Sequence, residues 1–205
     1  MNALLLIDVQ NDFCPGGALA VSEGDAVVPI INAAQKYFDL VVATQDWHPP
    51  DHGSFAANHP QRNIGDIIQW NGQTQVLWPI HCVQSTLGAA LRADLDTSRL
   101  DRVIQKGQDP NLDSYSGFFD NGAVHETGLR AYLLEKGVRS VTICGLATDY
   151  CVRFSALDAV RLGFQTRLLL DACRGVELQT GDIENAVQTM RGAGVEIIES
   201  PDLEY

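Results

Sequence analysis

Short apolar runs alternate with amphipathic stretches along this chain. The runs are rich in aliphatic and β-branched residues and end at polar residues or glycine, which is typical of buried strands. Strands that alternate with helices indicate βαβ units. The pattern therefore predicts a single α/β domain over residues 1–205, with a central, mostly parallel six-stranded sheet flanked by helices on both faces. The predicted strands are Ala3–Ile7, Leu40–Thr44, Arg102–Gln105, Val141–Cys144, Thr166–Leu170 and Val195–Ile198.

Four stretches carry the helical period of apolar residues. Asp25 precedes the first stretch, and Thr148 or Asp149 precedes the third, as capping residues do. Glycines end the second and the fourth. The predicted helices are Val27–Phe38, Thr127–Lys136, a helix that begins near residue 148 and continues through Val160, and Asp182–Arg191.

The charge balance limits the range of partners. The 205 residues include 26 acidic and 14 basic ones, a formal net charge of −12, which leaves no broad basic surface for nucleic acid or anionic lipid. The first residues lack a basic segment and carry a carboxylate at Asp8, so they predict neither a signal peptide nor a membrane span. Five cysteines without a CxxC pair indicate a reducing compartment, the cytoplasm, and no disulfide framework.

Four chemically reactive residues follow the ends of four predicted strands. They are Asp8, Asp46, Lys106 and Cys151. Because ligand sites form where the carboxyl ends of parallel strands meet, we expect these side chains to converge. A carboxylate beside a thiol can act as its general base, and an ammonium group beside both lowers the pKa of the thiol. Taken singly, the same residues would be turn carboxylates, a loop lysine and a buried structural thiol.

Cys151 falls in the first turn of the predicted third helix. Unpaired backbone N–H groups and the positive end of the helix dipole favour a thiolate at such a position. The same N–H groups could hold a developing oxyanion. The alternative is a cysteine that packs as a small hydrophobic residue.

The chain from residue 47 to about residue 96 is too long for an idle connection and contains four of the five histidines. Asp46 and His48 are two residues apart on an extended segment, so their side chains point the same way and can share one ion. His81 would complete three N/O ligands and leave positions open for water or substrate. Alternatively, the histidines bond to loop carbonyl groups. Weaker metal candidates in the same segment are His52 and His59.

Several aromatic residues fall in predicted loops rather than strands. Most such residues serve packing, but a flat ring substrate would use two or three of them. The glycine-rich pieces match neither a phosphate loop nor a dinucleotide fingerprint, so no nucleotide cofactor follows from them. The loop aromatics are Phe13, Trp47, Trp70, Trp78 and Tyr115.

Five stretches together resemble the nicotinamidases, a group within the isochorismatase-like cysteine hydrolases. They run from residue 4 to residue 152 in the order and spacing of that family. The combination of DWHP with WPxHCV separates nicotinamidases from relatives that lack a metal. The stretches are LLLIDVQNDFCPGGAL, TQDWHPPDHGSFA, LWPIHCVQ, IQKGQDPNLDSYSGF and CGLATDYCV.

The resemblance implies an isochorismatase-like fold and a set of site residues. The implied catalytic triad is Asp8, Lys106 and Cys151. The implied ligands of one divalent metal ion are Asp46, His48 and His81, with zinc as the first choice and Fe²⁺ or Mn²⁺ as alternatives. The implied ring pocket contains Phe13 and Trp78, with Tyr115 near it. His52 matches a residue that binds metal in only some members, and it is left outside the set of ligands.

The resemblance also implies a cis peptide bond between Leu146 and Ala147, which would aim the Ala147 N–H, with that of Cys151, at the oxyanion. The implied reaction is the hydrolysis of nicotinamide to nicotinate and ammonia through a cysteine thioester, in NAD salvage, with pyrazinamide as a second substrate. Two alternatives remain: an amidase of the same superfamily for a carbamoyl or ureido substrate, and a metal- or thiol-binding protein without turnover. The oligomeric state stays open.

Overall fold

Six parallel strands form the main sheet of the protein. A computed structural model describes residues 1–204, and in these residues the sheet order is β5–β2–β1–β6–β7–β8, with every neighbouring pair parallel. The predicted six-stranded sheet is confirmed, and each predicted strand overlaps an observed one. The strands are β1 (Asn2–Ile7), β2 (Leu40–Asp46), β3 (Ile67–Trp70), β4 (Gln73–Val76), β5 (Arg102–Lys106), β6 (Ser140–Leu146), β7 (Gln165–Arg174) and β8 (Glu196–Ile198).

The middle of this sheet is covered on both faces. Every residue of β2 is buried, and in β1 and β6 only the first residue is partly exposed. Successive side chains of a strand point to opposite faces, so burial of consecutive residues requires packing on both sides. This explains why these strands read as continuous apolar runs rather than as an alternating pattern.

Four α-helices accompany the strands within residues 1–204. Helices α1 and α3 both pack on β6 and β7, and α3 also contacts α4. None of the four combines the length and the hydropathy that a bilayer span requires. The helices are α1 (Val27–Ala34), α2 (Leu129–Glu135), α3 (Arg153–Arg161) and α4 (Asp182–Gly192).

All four predicted helices are present, but the predicted caps are wrong. Ala26 occupies the N-cap of α1, and no side chain caps that helix. Neither residue 148 nor Asp149 caps α3, because both lie in a separate turn and Val152 occupies the N-cap. The Asp149 carboxylate instead accepts hydrogen bonds from the N–H groups of Val176 and Glu177, at 2.9 and 2.8 Å. A capping residue and a residue that bonds a distant loop have the same chemistry, so the sequence does not separate them.

The strand order creates a crevice between β1 and β6. The chain first adds β2 and β5 on one side of β1 and then crosses to build β6, β7 and β8 on the other side. Open parallel sheets bind ligands outside the carboxyl ends of their strands at such a reversal. Asp8 directly follows β1, and Ala147 directly follows β6, so both belong to this crevice.

A two-stranded antiparallel hairpin, β3–β4, was not among the predicted elements. It lies within the long segment that follows β2. Trp70 of the hairpin packs against Gly53, where an added Cβ atom would lie 2.0 Å from the indole ring. The hairpin is therefore seated on the loop that carries the histidines.

Gly145→Ala tests the close approach of β1 and β6. Gly145 has a φ of +115°, and an added Cβ atom would lie 2.2 Å from the carbonyl oxygen of Ile7. Because both the conformation and the neighbouring backbone exclude a side chain, we expect the free energy of unfolding to fall by more than about 1 kcal/mol in urea titrations. Gly192→Ala is the control, since nothing lies within 4 Å of that position. Equal stability of the two variants would contradict this account.

Candidate active site

A cavity lies at the carboxyl ends of the central strands. Its wall is largely aromatic and aliphatic, with a few polar side chains, which is the usual composition of a small-molecule site. Seven of the ten predicted site residues line this cavity, and the other three, Asp8, His48 and Lys106, are buried. The lining residues are Phe13, Leu19, Asp46, Trp78, His81, Asp113, Tyr115, Ala147, Tyr150, Cys151 and Val176.

The ammonium group of Lys106 is the centre of a buried polar cluster beside this cavity. Its Nζ atom lies 2.5 Å from Asp46 Oδ1, 2.9 Å from Asp8 Oδ2 and 3.5 Å from Cys151 Sγ. It also donates a hydrogen bond of 2.7 Å to the carbonyl oxygen of Ser114. The structure thus brings the three predicted catalytic side chains together, and all three are buried.

Neighbouring side chains hold both carboxylates in place. Thr44 Oγ1 donates to Asp8 Oδ1 at 2.6 Å. The Gln10 side chain donates to the Asp46 carbonyl oxygen at 2.9 Å and accepts from the Asp46 N–H at 2.8 Å. Apart from its contact with Lys106, Asp8 Oδ2 has no hydrogen-bond partner within residues 1–204. This oxygen is therefore available to accept a proton from the thiol of Cys151.

Burial dominates the electrostatics of this cluster. It raises the pKa of Asp8, an effect that Lys106 opposes and the Asp46 charge reinforces. Burial likewise raises the pKa of Cys151 well above its usual value, although Lys106 lowers it. Burial lowers the pKa of Lys106, but Asp46 and Asp8 raise it by more, so the ammonium stays charged. Burial thus favours the thiol form of Cys151, whose proton a base must take when the sulfur attacks.

Cys151 lies in a π-type turn, Thr148–Val152, rather than in the first turn of α3. The turn is kinked at Tyr150, whose φ of −122° and ψ of −105° are not helical. Helix α3 begins only at Arg153. The kinked turn places Cys151 and Tyr150 in the wall of the same cavity.

The backbone before this turn has the conformation that the resemblance implied. The Leu146–Ala147 peptide bond is cis. Ala147 and Cys151, the two predicted N–H donors for an oxyanion, both line the cavity. Their assignment as the oxyanion hole stays a prediction.

Asp46, His48 and His81 form a group that could hold a metal ion, since their ligand atoms all lie within 4.8 Å of one another. All three residues are buried. His48 Nδ1 lies 2.8 Å from the carbonyl oxygen of Gly107, and His81 Nδ1 lies 2.8 Å from that of Pro79. A carbonyl group can only accept, so each Nδ1 carries a proton, and in the neutral ring each Nε2 then has a free lone pair. This is the tautomer that a metal ligand needs, fixed by outer-shell bonds.

The charges around the cavity also fit a divalent cation. The buried carboxylates of Asp8 and Asp46 contact the buried ammonium group of Lys106, and the buried Asp113 has a ligand atom within 4.8 Å of those of His48 and His52. When all are ionised, two negative charges are in excess, and burying them without a partner is costly. An ion of charge +2 held by one carboxylate and two imidazoles would offset this excess. The donor set of one oxygen and two nitrogens suits zinc, iron(II) or manganese(II).

His52 lies close to this group. Its ring centroid is 4.2 Å from that of His48, and its Nδ1 atom lies 2.7 Å from Ser54 Oγ. Its Nε2 atom is buried without a hydrogen-bond partner within residues 1–204. His52, His48 and Asp113 also have ligand atoms within 4.8 Å of one another. His59 bonds the Gly53 carbonyl oxygen instead, as the loop alternative expected.

The three predicted ring-pocket residues, Phe13, Trp78 and Tyr115, all line the cavity. Trp78 Nε1 donates to Tyr115 Oη at 3.1 Å. Both rings meet the Tyr150 ring edge-on, with centroid distances of 5.0 and 5.6 Å. These contacts hold the aromatic wall in one arrangement.

Several functional positions were not among the sequence predictions. Asp113 and Tyr150 line the cavity, and Thr44 and Gln10 fix the carboxylates. Gln10, Asp113 and Tyr150 fall inside the stretches that carry the family resemblance, which was a usable signal. Thr44 is the first residue of another of these stretches, TQDWHPPDHGSFA, but its place in a buried strand does not reveal its bond to Asp8.

The chain belongs to the isochorismatase family, because the model of the isochorismatase domain matches residues 2–202. Several similar proteins within this family are nicotinamidases. The nicotinamidase of Escherichia coli (strain K12) is 44% identical over 98% of this chain and 96% of its own. The resemblance seen in the sequence motifs is confirmed.

Solved structures agree with this placement. The nicotinamidase and pyrazinamidase of Acinetobacter baumanii has a TM-score of 0.96 at 46% identity, with 98% of this chain and 97% of that chain covered. The pyrazinamidase of Pyrococcus horikoshii, solved in complex with zinc, has a TM-score of 0.78 at 40% identity, with 97% and 98% covered.

Gly107→Ala tests whether the close approach of the Gly107 backbone positions the His48 ring in the candidate metal group. Gly107 has a φ of +66°, and an added Cβ atom would lie 2.4 Å from His48 Cε1, so the imidazole would have to move. We expect zinc affinity, measured by chelator competition, to fall by about tenfold or more. Gly163→Ala is the control, because its φ of +88° carries the same backbone cost while nothing lies within 4 Å. Equal zinc affinity in the two variants would rule out this role of Gly107.

Proposed function

We propose that this chain is a nicotinamidase, which hydrolyses nicotinamide to nicotinate and ammonia in NAD salvage and also deamidates pyrazinamide. The observation that carries the proposal is the position of Lys106 Nζ, within 2.9 Å of Asp8 and 3.5 Å of Cys151, beside a cavity with an aromatic wall. A general base, a thiol and a cation in contact are the parts of a cysteine amidase. The membership in the family and the identities to nicotinamidases support the substrate.

The first half of the reaction forms a thioester. Asp8 takes the proton of the Cys151 thiol as the sulfur attacks the carboxamide carbon. Burial raises the pKa of Asp8, which makes its carboxylate a stronger base than an exposed one. When the tetrahedral intermediate collapses, the C–N bond breaks and Asp8 gives the proton to the departing nitrogen, which leaves as ammonia.

The second half hydrolyses the thioester. Asp8, again a carboxylate, takes a proton from a water molecule while the water oxygen attacks the acyl carbon. The C–S bond then breaks, and Asp8 returns the proton to the Cys151 sulfur. The Ala147 and Cys151 N–H groups are assigned to the oxyanion in both halves. Lys106 stabilises the negative charge that passes between Asp8 and Cys151.

Zinc is the ion that we assign to Asp46, His48 and His81. When bound, it supplies a Lewis-acid position for the ring nitrogen of the substrate and for water. Phe13, Trp78 and Tyr115 hold the flat ring against this side of the cavity. A carbamoyl or ureido amidase would use the same triad, but it would have no use for a buried group of three metal ligands whose tautomers are fixed.

The substrate is a small molecule, and we place the reaction in the cytoplasm. All five cysteines are free thiols, as expected in a reducing compartment. The strongly acidic composition disfavours nucleic acid and anionic membranes as partners.

A comparison of three carboxamides tests the substrate and the metal together. Nicotinamide and pyrazinamide have a ring nitrogen meta to the carboxamide, and benzamide has a C–H there. A site that binds this nitrogen should discriminate against benzamide by about 100-fold or more in kcat/KM, because a polar position is left without its partner. Ammonia release should be measured on all three amides, before and after chelation of the metal.

The control is Cys151→Ala, which should release no ammonia while it still binds nicotinamide. Comparable kcat/KM values for benzamide would refute recognition of the ring nitrogen. Turnover by Cys151→Ala would refute the thioester mechanism. Absence of ammonia release from nicotinamide by the wild-type protein would overturn the proposed function itself.

A further inference from the structure

Gln75 is a buried amide in a hairpin that is otherwise exposed or half-buried. Across the strands β3 and β4 it is the single buried residue, with 1% of its surface exposed. Burial of an amide is unfavourable unless its hydrogen bonds are made. The bonds that Gln75 makes therefore indicate why it is there.

The amide nitrogen of Gln75 reaches two residues of the cavity wall. It donates to Asp113 Oδ2 at 2.8 Å and lies 3.2 Å from Tyr115 Oη. It also lies 2.8 Å from the carbonyl oxygen of Val76 in its own strand. Trp78 Nε1 donates to the same Tyr115 oxygen at 3.1 Å. The Tyr115 hydroxyl group therefore contacts both Gln75 of β4 and Trp78, which lies just after β4.

The segment 113–115 links three parts of the site. Asp113 has a ligand atom within 4.8 Å of those of His48 and His52. The Ser114 carbonyl oxygen accepts from Lys106 Nζ at 2.7 Å. Tyr115 belongs to the aromatic wall. Gln75 bonds the first and the last residue of this segment and touches none of the three proposed catalytic side chains in the bonds it makes.

We infer that Gln75 is a positioning residue, which sets the affinity for the substrate ring by fixing Tyr115 and Asp113. The inference rests on the proposed nicotinamidase function. Without the Gln75 amide, Tyr115 Oη loses its 3.2 Å contact with the amide nitrogen and keeps the bond from Trp78 Nε1. Within residues 1–204, the Asp113 carboxylate then keeps the 2.8 Å bond from the Ser114 N–H to its other oxygen. The wall then loses its single arrangement, while Asp8, Lys106 and Cys151 keep theirs.

Gln75→Met removes the amide and keeps the length of the side chain. We expect KM for nicotinamide to rise by about tenfold, with kcat changed by less than about threefold, because ring binding weakens and the reacting groups stay in place. The dissociation constant of nicotinamide for the Cys151→Ala protein should rise by the same factor when Gln75→Met is added. The rate at which iodoacetamide modifies Cys151 should not change.

Gln69→Leu is the matched control. Gln69 lies in the same hairpin and is exposed, and its side-chain nitrogen donates to Thr74 Oγ1 at 2.9 Å, away from the cavity wall. It should leave KM, kcat and the dissociation constant unchanged. If Gln75→Met does not fold, Gln75→Leu is measured in the same way.

A double-mutant cycle with Tyr115→Phe tests whether Gln75 affects ring binding through the Tyr115 hydroxyl group. If Gln75 acts through the Tyr115 hydroxyl group, the double variant should be little worse than Tyr115→Phe alone. Unchanged KM and ring affinity in Gln75→Met, a loss confined to kcat, or fully additive effects would each overturn the inference. Because these outcomes are read against a wild-type protein that turns over nicotinamide, they leave the proposed function standing.

Discussion

A buried ammonium group is the constraint on which the site depends. Lys106 is 2% exposed, and its charge is held by Asp8, Asp46 and the Ser114 carbonyl oxygen. A charge in the interior costs several kcal/mol unless it is paired and hydrogen-bonded. These partners come from the ends of β1 and β2 and from the loop after β5. The ammonium group therefore fixes three chain segments relative to one another, and Cys151 is placed against them by the turn after β6.

Strand ends and loops supply different groups to the site. The parallel sheet brings the charged groups to one edge, because Asp8, Asp46 and Lys106 each lie at the end of a strand. The long segments after β2 and β5 add the imidazoles and two of the four aromatic wall residues, Trp78 and Tyr115. The hairpin β3–β4 then joins these segments through Trp70 on Gly53 and Gln75 on Asp113. The proposed catalytic groups thus lie at the ends of sheet strands, and the proposed ring pocket is built largely from loops.

Apolar runs predicted the strands well. The central strands are buried on both faces, so their sequences are long, uninterrupted apolar runs. The positions of Asp8, Lys106 and Cys151 after strand ends also predicted that they lie close together, because a parallel sheet brings the carboxyl ends of its strands to one edge. No pattern in the sequence predicted the side-chain hydrogen bonds between distant segments. The Asp149 carboxylate serves a loop rather than a cap, and Gln75 reads as one polar residue in a polar stretch.

The protonation state of Cys151 could not be predicted from the sequence either. A helix start suggested a thiolate, but the observed turn is not a helix start, and burial of the sulfur raises its pKa. The balance between burial and the Lys106 charge depends on distances that exist only in the folded protein. The same holds for Asp8, where burial, Lys106 and Asp46 act in different directions.

The central claim is that the cluster around Lys106 performs nucleophilic catalysis through an acyl group on Cys151. The most direct test is the partition of product between nicotinate and nicotinohydroxamate in the presence of hydroxylamine, measured for nicotinamide and for methyl nicotinate. A common thioester predicts the same product ratio from both substrates at each hydroxylamine concentration, because the leaving group has departed before the partition. Ratios that differ between the amide and the ester would contradict a shared acyl-enzyme and, with it, this account of the site.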